Sequence, residues 1–313
     1  MNKLNLREVD RLEVTVLVDN YTDLLLLLST EVVKRPLQTR LPKVPLAEHG
    51  LSFILKVCAG LEEHVVLMDA GVSTTCFFHN ADVLGVDLSK VESVVLSHGD
   101  FDHFGGLIEF LKRAKKEMRL VLHPDAFLQR RLNVPIIKAL IDLPELDEVA
   151  LKETGVVFQK EREASTVASD LILVSGEVER ITDFEKGFPW AEAKIDDKWV
   201  INPYRDDQAV AIKVKGKGLV IIGACSHAGI INTVKHIQKV ARTEEVHAVL
   251  GGFHLTGPIF EPLIGPTIEE MKKIGPDFIV PMHCTGWKTI NEFANQMPKQ
   301  FLLSTVGTTF VFQ

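Results

Sequence analysis

Residues 97–106, Ser-His-Gly-Asp-Phe-Asp-His-Phe-Gly-Gly, set His98, Asp100, Asp102 and His103 within six positions. The stretch follows the largely apolar run 93–96 and precedes apolar residues at helical spacing, Leu107, Ile108, Leu111, Ala114 and Met118. A strand, a ligand-dense turn and a helix start, in that order, fit a layered α/β protein, whose loops collect functional groups at one edge of a sheet. Any fold open to this chain must bring further ligands to that turn.

The remaining pattern offers such ligands. Residues 13–18 alternate and are β-branched, which predicts a strand ending at the polar residues 19–23. Residues 52–57 and 64–68 form a hairpin across Gly60, and the second strand stops at Asp69. A second hairpin, 208–215 with 219–222, ends at Cys225-Ser226-His227 and leads into a helix over 230–240. Strands at 246–250 and 278–280 end at His254 and His283, with a helix over 268–274 between them. Three successive strand ends therefore each deliver one histidine.

Two stretches are less regular. From 125 to about 147 the pattern turns helical, interrupted by Arg130-Arg131, Pro135 and Pro144, so residues 125–165 read as a partly helical insertion. That insertion is a candidate lid or dimer surface, which leaves homo-oligomerisation open. Residues 176–207 look irregular and carry Trp190, Trp199 and Tyr204, which fits a substrate-facing loop or a satellite cluster, and Asp206-Asp207-Gln208 reads as a turn.

A length of 313 residues with 46% hydrophobic content supports a sizeable core, and residues 1–313 read as a single domain. The net charge of -7 excludes a general nucleic-acid binder, whose footprint is a basic face. The apolar run 24–28 is far short of a membrane span, and no basic leader precedes it. Four cysteines without CxxC spacing fit a reducing compartment, so a cytoplasmic location is expected.

Isolated histidines are ordinary core or surface residues, which is the reading for His64, His79, His123, His236 and His247. His98, His103, His227, His254 and His283 differ because all sit at strand ends. Neighbours in a turn point in different directions, so Asp102 and His103 face one metal position while His98 and Asp100 face another. Two cations held close together clamp a water and polarise a substrate oxygen.

These residues resemble the metallo-β-lactamase superfamily, whose first motif is HxHxDH after a strand. Here it reads His98-Gly-Asp100-Phe-Asp102-His103, with an aspartate at the second histidine. Together with 18–20, 48–52, 223–229, 251–255 and 282–286, it is similar to the subgroup of the archaeal 7,8-dihydropterin-6-methyl-4-(β-D-ribofuranosyl)aminobenzene 5'-phosphate synthase. The resemblance implies a four-layer αββα sandwich and one or two divalent ions. His98, Asp100 and His227 would serve the first, and Asp102, His103 and His283 the second. Asp69 would orient a ligand imidazole, and Asn20 and His49 would line the pocket. Gly223-Ala224-Cys225 stands where a bridging aspartate is expected and offers no carboxylate. His254 is then a substitute ligand or a substrate-facing acid or base, and Asp102 and His254 are the candidate catalytic residues.

The carboxylate at 100 admits Mn²⁺ and Fe²⁺ beside Zn²⁺. Cys225 and Cys284 read as buried structural thiols. The leading expectation is an enzyme in which a cation-acidified water attacks an ester or phosphoester of a small, anionic substrate. The alternatives are a transferase that condenses a pterin diphosphate with an aminobenzene ribosyl phosphate, and a non-catalytic metal-binding module. Arg180, Arg205 and Lys288 are candidates for an anionic group.

Overall fold

The computed structural model describes residues 4–37 and 41–313. Two large mixed sheets face each other, and helices cover their outer faces. The first has eight strands in the order Val157–Lys160, Arg119–Leu122, Ser93–Val95, Glu62–Met68, Ser52–Ala59, Arg11–Val18, Thr309–Phe312 and Val33–Lys34. The second runs Ser165–Val167, Ile172–Val174, Val210–Val214, Gly218–Gly223, Val246–Gly252 and Phe278–Met282, with Glu8–Val9 added beside Val210–Val214.

Side chains that alternate along each strand decide what packs where. Val121, Val220, Ile222, Leu250 and Val280 point between the sheets and form one core with Phe53, Phe310 and Phe312. Their neighbours Leu120 and Leu122 face the helices Thr74–Leu84 and Leu107–Ala114. Leu219, Ile221, Val249 and Ile279 face the helices Ile230–Ala241, Ile264–Ile274 and Trp287–Gln296 on the other side. Each such fully buried Val, Leu or Ile contributes roughly 1.5–3 kcal/mol. The layers are therefore α, β, β, α, as the resemblance implied.

The insertion departs from expectation. Within 125–165 the helical parts are the 3-10 turn Pro124–Phe127 and the helix Glu148–Glu153. Residues 125–147 are not otherwise helical: Arg130–Val134 and Ala139–Asp142 are antiparallel strands. They join Ala191–Ile195 and Lys198–Ile201, from the stretch that looked irregular, in a separate four-stranded sheet. The pairing is fixed by partners some 60 residues apart in the chain. Arg131 Nε donates to Glu192 Oε2 at 2.6 Å, and its guanidinium sits 4.1 Å from the centre of the Trp199 ring. Local periodicity carries no trace of such contacts, and strands stand where the spacing predicts a helix.

Sheet geometry then gathers the candidate site. Glu62–Met68 and Ser93–Val95 run parallel, as do Gly218–Gly223, Val246–Gly252 and Phe278–Met282. Their C-terminal ends open at one edge of the sandwich, where residues 69, 98–103, 225–227, 254 and 283 follow. Among the described residues no helix is long and apolar enough to cross a membrane.

Candidate metal centre

The turn after Ser93–Val95 is held by tight backbone packing. A Cβ at Gly99 would lie 2.0 Å from the Ala126 carbonyl oxygen, and one at Gly105 would lie 1.7 Å from that of Val72. Only glycine lets the turn pass so close. Asp69, at φ 60°, accepts from the Ser97 amide through Oδ1, and from the Ser97 hydroxyl and His103 Nδ1 through Oδ2. His98 Nδ1 in turn lies 2.9 Å from Ser97 Oγ. With Nδ1 of both rings directed toward Asp69, directly or through Ser97, Nε2 of both is turned toward the centre of the site.

Four imidazoles and two carboxylates meet in front of this scaffold. Asp100 Oδ2 lies 3.4 Å from His98 Nε2 and 3.3 Å from His227 Nε2. Asp102 Oδ2 lies 3.3 Å from His283 Nε2 and 3.7 Å from His103 Nε2. All six side chains are buried. Nε2 of His98, His227 and His283 has no hydrogen-bond partner, a state that buried polar atoms rarely keep without a ligand. Donors bonded at 2.0–2.1 Å around one tetrahedral zinc stand about 3.3 Å from each other. The observed spacings match that value, so the residues fit a divalent cation.

The sequence comparisons agree with this geometry. The model of the family called Metallo-beta-lactamase superfamily matches residues 51–182. An uncharacterized protein of Methanocaldococcus jannaschii is 31% identical over 249 residues, which is 79% of this chain and 88% of that protein. The chain belongs to the metallo-β-lactamase superfamily. The 7,8-dihydropterin-6-methyl-4-(beta-D-ribofuranosyl)-aminobenzene-5'-phosphate synthase of the same archaeon is 29% identical over 257 residues, 82% of this chain and 87% of the synthase. The fold matches the crystal structure of Tm1679, a metal-dependent hydrolase of the beta-lactamase superfamily, with a TM-score of 0.72. That match covers 96% of this chain and 98% of the other at 22% identity.

Within this superfamily frame the supporting residues take distinct places. Asn20 Oδ1 is 3.1 Å from His283 Nδ1, which turns Nε2 of that ring toward Asp102. Asn20 Nδ2 also lies 3.1 Å from His49 Nδ1, and His49 Nε2 reaches within 3.7 Å of Asp102 with a side chain 63% exposed. Glu48 fixes this loop by accepting from the Val72 and Ser73 amides and the Ser73 hydroxyl. His254, at φ 45°, is half-buried with its ring 4.3 Å from His227, and its Nδ1 has no partner.

Several residues hold places at the site more specific than the sequence indicates. Arg130, from the four-stranded sheet, donates to Asp100 Oδ1 at 2.7 Å and also pairs with Asp206. Tyr204 stacks on His227 at 3.8 Å, and its hydroxyl lies 3.2 Å from Asp100 Oδ2. The stretch read as a plain turn is buried and structural: Asp206 accepts from the Gly99 amide and Asp207 from the Ala228 amide. Cys225 and Cys284 are buried as expected, but Cys225 Sγ reaches 3.2 Å from His103 Nε2. The signal available in sequence was its place two residues after a strand end. In contrast, Arg205 pairs with Asp125, Lys288 with Glu261, and Arg180 donates to the Pro203 carbonyl. These three basic side chains are engaged elsewhere. His64, His79, His123, His236 and His247 are likewise spent on local hydrogen bonds.

Charge balance follows from the pairing. Burial disfavours charge on His98, but the hydrogen bond and charge of Asp100 outweigh it and lift the ring to about 10. His283 is likewise opposed by burial and raised to about 8 by Cys284 and Asp102. Burial and the neighbouring His254 lower His227 to about 4. Burial works against the ionised form of Asp102, yet His103 and His283 hold its carboxyl below the usual range.

The raised imidazoles make a prediction. A metal ligand must be deprotonated, so cation binding at pH 7 displaces the protons of His98 and His283. Zinc titration by calorimetry in buffers of different ionisation enthalpy is expected to show at least about two protons released per chain. Affinity should weaken as pH falls below about 10, and more steeply below about 8. Proton-independent binding between pH 6 and 8 would contradict the ligand set.

Proposed function

We propose that this chain is a metal-dependent hydrolase of esters or phosphoesters, with cations held by His98, Asp100 and His227 at one position and by Asp102, His103 and His283 at the other. The reading is carried by buried, partnerless imidazole nitrogens that meet two carboxylates at ligand spacing. The partly exposed His49 and His254 flank them at the mouth. When bound, the divalent cations supply an acidified water and a charge that polarises the scissile ester or phosphoester oxygen.

The protein's own residues orient and exclude. Asp69 and Asn20 fix the tautomers of His98, His103 and His283. Arg130 occupies Asp100 Oδ1, which commits that carboxylate to one ligating oxygen. Tyr204 covers the His227 ring and keeps water from it. His254, with Nδ1 unbonded beside the first position, holds or delivers a proton at the leaving group. With Arg180, Arg205 and Lys288 engaged elsewhere, recognition of a small anionic substrate falls to the cation positions. Zinc, manganese and iron all suit the mixed nitrogen and oxygen donors.

A second reading rests on the likeness to the archaeal synthase across 82% of this chain. In it the same positions hold the diphosphate of an activated pterin while an aminobenzene ribosyl phosphate is joined. The assay pairs both chemistries on metal-loaded protein. Turnover of a generic phosphodiester, lost with a chelator and restored by metal, is the expected result. Product from the pterin diphosphate and the aminobenzene nucleotide, with no ester turnover, would replace hydrolysis by condensation. Full loading with neither reaction would leave a non-catalytic metal-binding module.

A further inference from the structure

The geometry points to Cys225 as a thiolate bridge between the two cation positions, standing where the superfamily pattern leads one to expect an aspartate. The inference rests on the metal-dependent reading above and concerns a residue that reading does not use. Cys225 Sγ, Asp102, His103 and His283 form one set whose ligand atoms all lie within 4.8 Å of one another. Cys225 Sγ, His98 and His227 form another set within the same limit. The sulfur is the one atom common to both sets.

The surroundings make this a built position. Cys225 is 3% exposed and lies among the partnerless Nε2 atoms of His98, His227 and His283. Strand packing drives it there. A Cβ at Gly251 would lie 1.8 Å from the Gly223 carbonyl oxygen, and one at Gly252 would lie 2.3 Å from that of Ala224. These glycines let the two strand ends close up. Ser226, at φ 58°, then turns the chain so that Cys225 and His227 both face the centre. A plain structural thiol needs apolar neighbours, whereas this one is surrounded by imidazoles and carboxylates.

The step is ligand exchange without redox change: the Cys225 S–H bond breaks, its proton leaves to solvent, and sulfur bonds to both cations. With the sulfur, the Asp102 set offers two nitrogens, one carboxylate oxygen and a thiolate, while in the other set the same sulfur joins the imidazoles of His98 and His227, with Asp100 3.4 and 3.3 Å from those two rings. A soft bridge offsets the hardness that Asp100 brings, so zinc, iron and cobalt are favoured over manganese.

Cobalt(II) loading of the full chain tests this, read by absorption. We expect a thiolate-to-cobalt charge-transfer band in the near ultraviolet that grows through both the first and the second equivalent. Cys225→Ser should reduce that band at least about tenfold and weaken the second equivalent by at least about tenfold, since losing a ligand costs no less than losing its supporting contact. Cys284→Ser should keep the band. X-ray absorption of the zinc-loaded wild type adds a check independent of any variant's folding, with sulfur expected at about 2.3 Å. Two bound cobalts with no thiolate band, or a band lost only in Cys284→Ser, would overturn the bridge while leaving the metal reading intact. Failure to bind cobalt at all would sink both.

Discussion

Asp102→Ala is expected to cut bound metal from two ions per chain to one and to lower turnover at least about a hundredfold, the upper end of what a lost supporting contact costs. Asp102 Oδ2 is the atom shared by the surroundings of His49, His103 and His283, at 3.7, 3.7 and 3.3 Å. Without it the second position keeps imidazoles but loses its carboxylate. The first position, built on Asp100, should stay occupied. Folding should survive, because the side chain is joined to the core through the turn rather than by apolar packing. Metal analysis by mass spectrometry alongside steady-state turnover reads both numbers. Retained turnover at normal metal content would contradict the assignment.

Arg130→Met is expected to destabilise the protein by about 3–5 kcal/mol, the range for breaking a buried ion pair by removing one partner. Arg130 is 3% exposed and serves Asp100 and Asp206 together. Its removal takes the guanidinium away from two buried carboxylates. The pH dependence gives a second readout. Burial pushes the Asp100 carboxyl up, but Arg130 and the histidines beside it hold it well below its ordinary value. Its stabilisation is therefore complete above the unfolded carboxyl range, near pH 4, and is lost as pH falls through the lower folded value. The gap between wild type and variant in denaturant midpoint should accordingly be widest near neutrality and narrow on acidification. Arg130→Met combined with Asp206→Asn should regain part of the loss. An unfolding free energy within about 0.5 kcal/mol of wild type at pH 7, where surface changes fall, would show that the pair is not a structural link between the four-stranded sheet and the turn.

Much of this site was legible because ligands and strand ends are local features. His98, Asp100, Asp102 and His103 are close in sequence, and His227, His254 and His283 each follow a short apolar run. The αββα layering was legible through the resemblance those motifs carry, while the central strands, buried on both faces, read as continuous apolar runs. What escaped depends on contacts between distant segments. The pairing of Arg130–Val134 with Ala191–Ile195 has no local signature, so a helical pattern displaced a strand and Arg130 passed as an interruption. Asp206 and Asp207 looked like a turn because their partners, Gly99, Arg130 and Ala228, come from elsewhere in the chain. By residue type alone Cys225 reads as a buried structural thiol. Its place among the imidazoles depends on how closely Gly223 and Gly251 let two strands approach.

The central claim is that two cations sit at this edge of the sandwich, one on each carboxylate. Anomalous diffraction from crystals of metal-loaded protein, collected on both sides of the absorption edges of zinc, manganese and iron, tests it most directly. The account predicts one peak at bonding distance from His98 Nε2, Asp100 Oδ2 and His227 Nε2, and a second from Asp102 Oδ2, His103 Nε2 and His283 Nε2. A single peak held by Cys225, His254 and Cys284, the remaining group of close ligand atoms among the described residues, with both carboxylates bare, would contradict it.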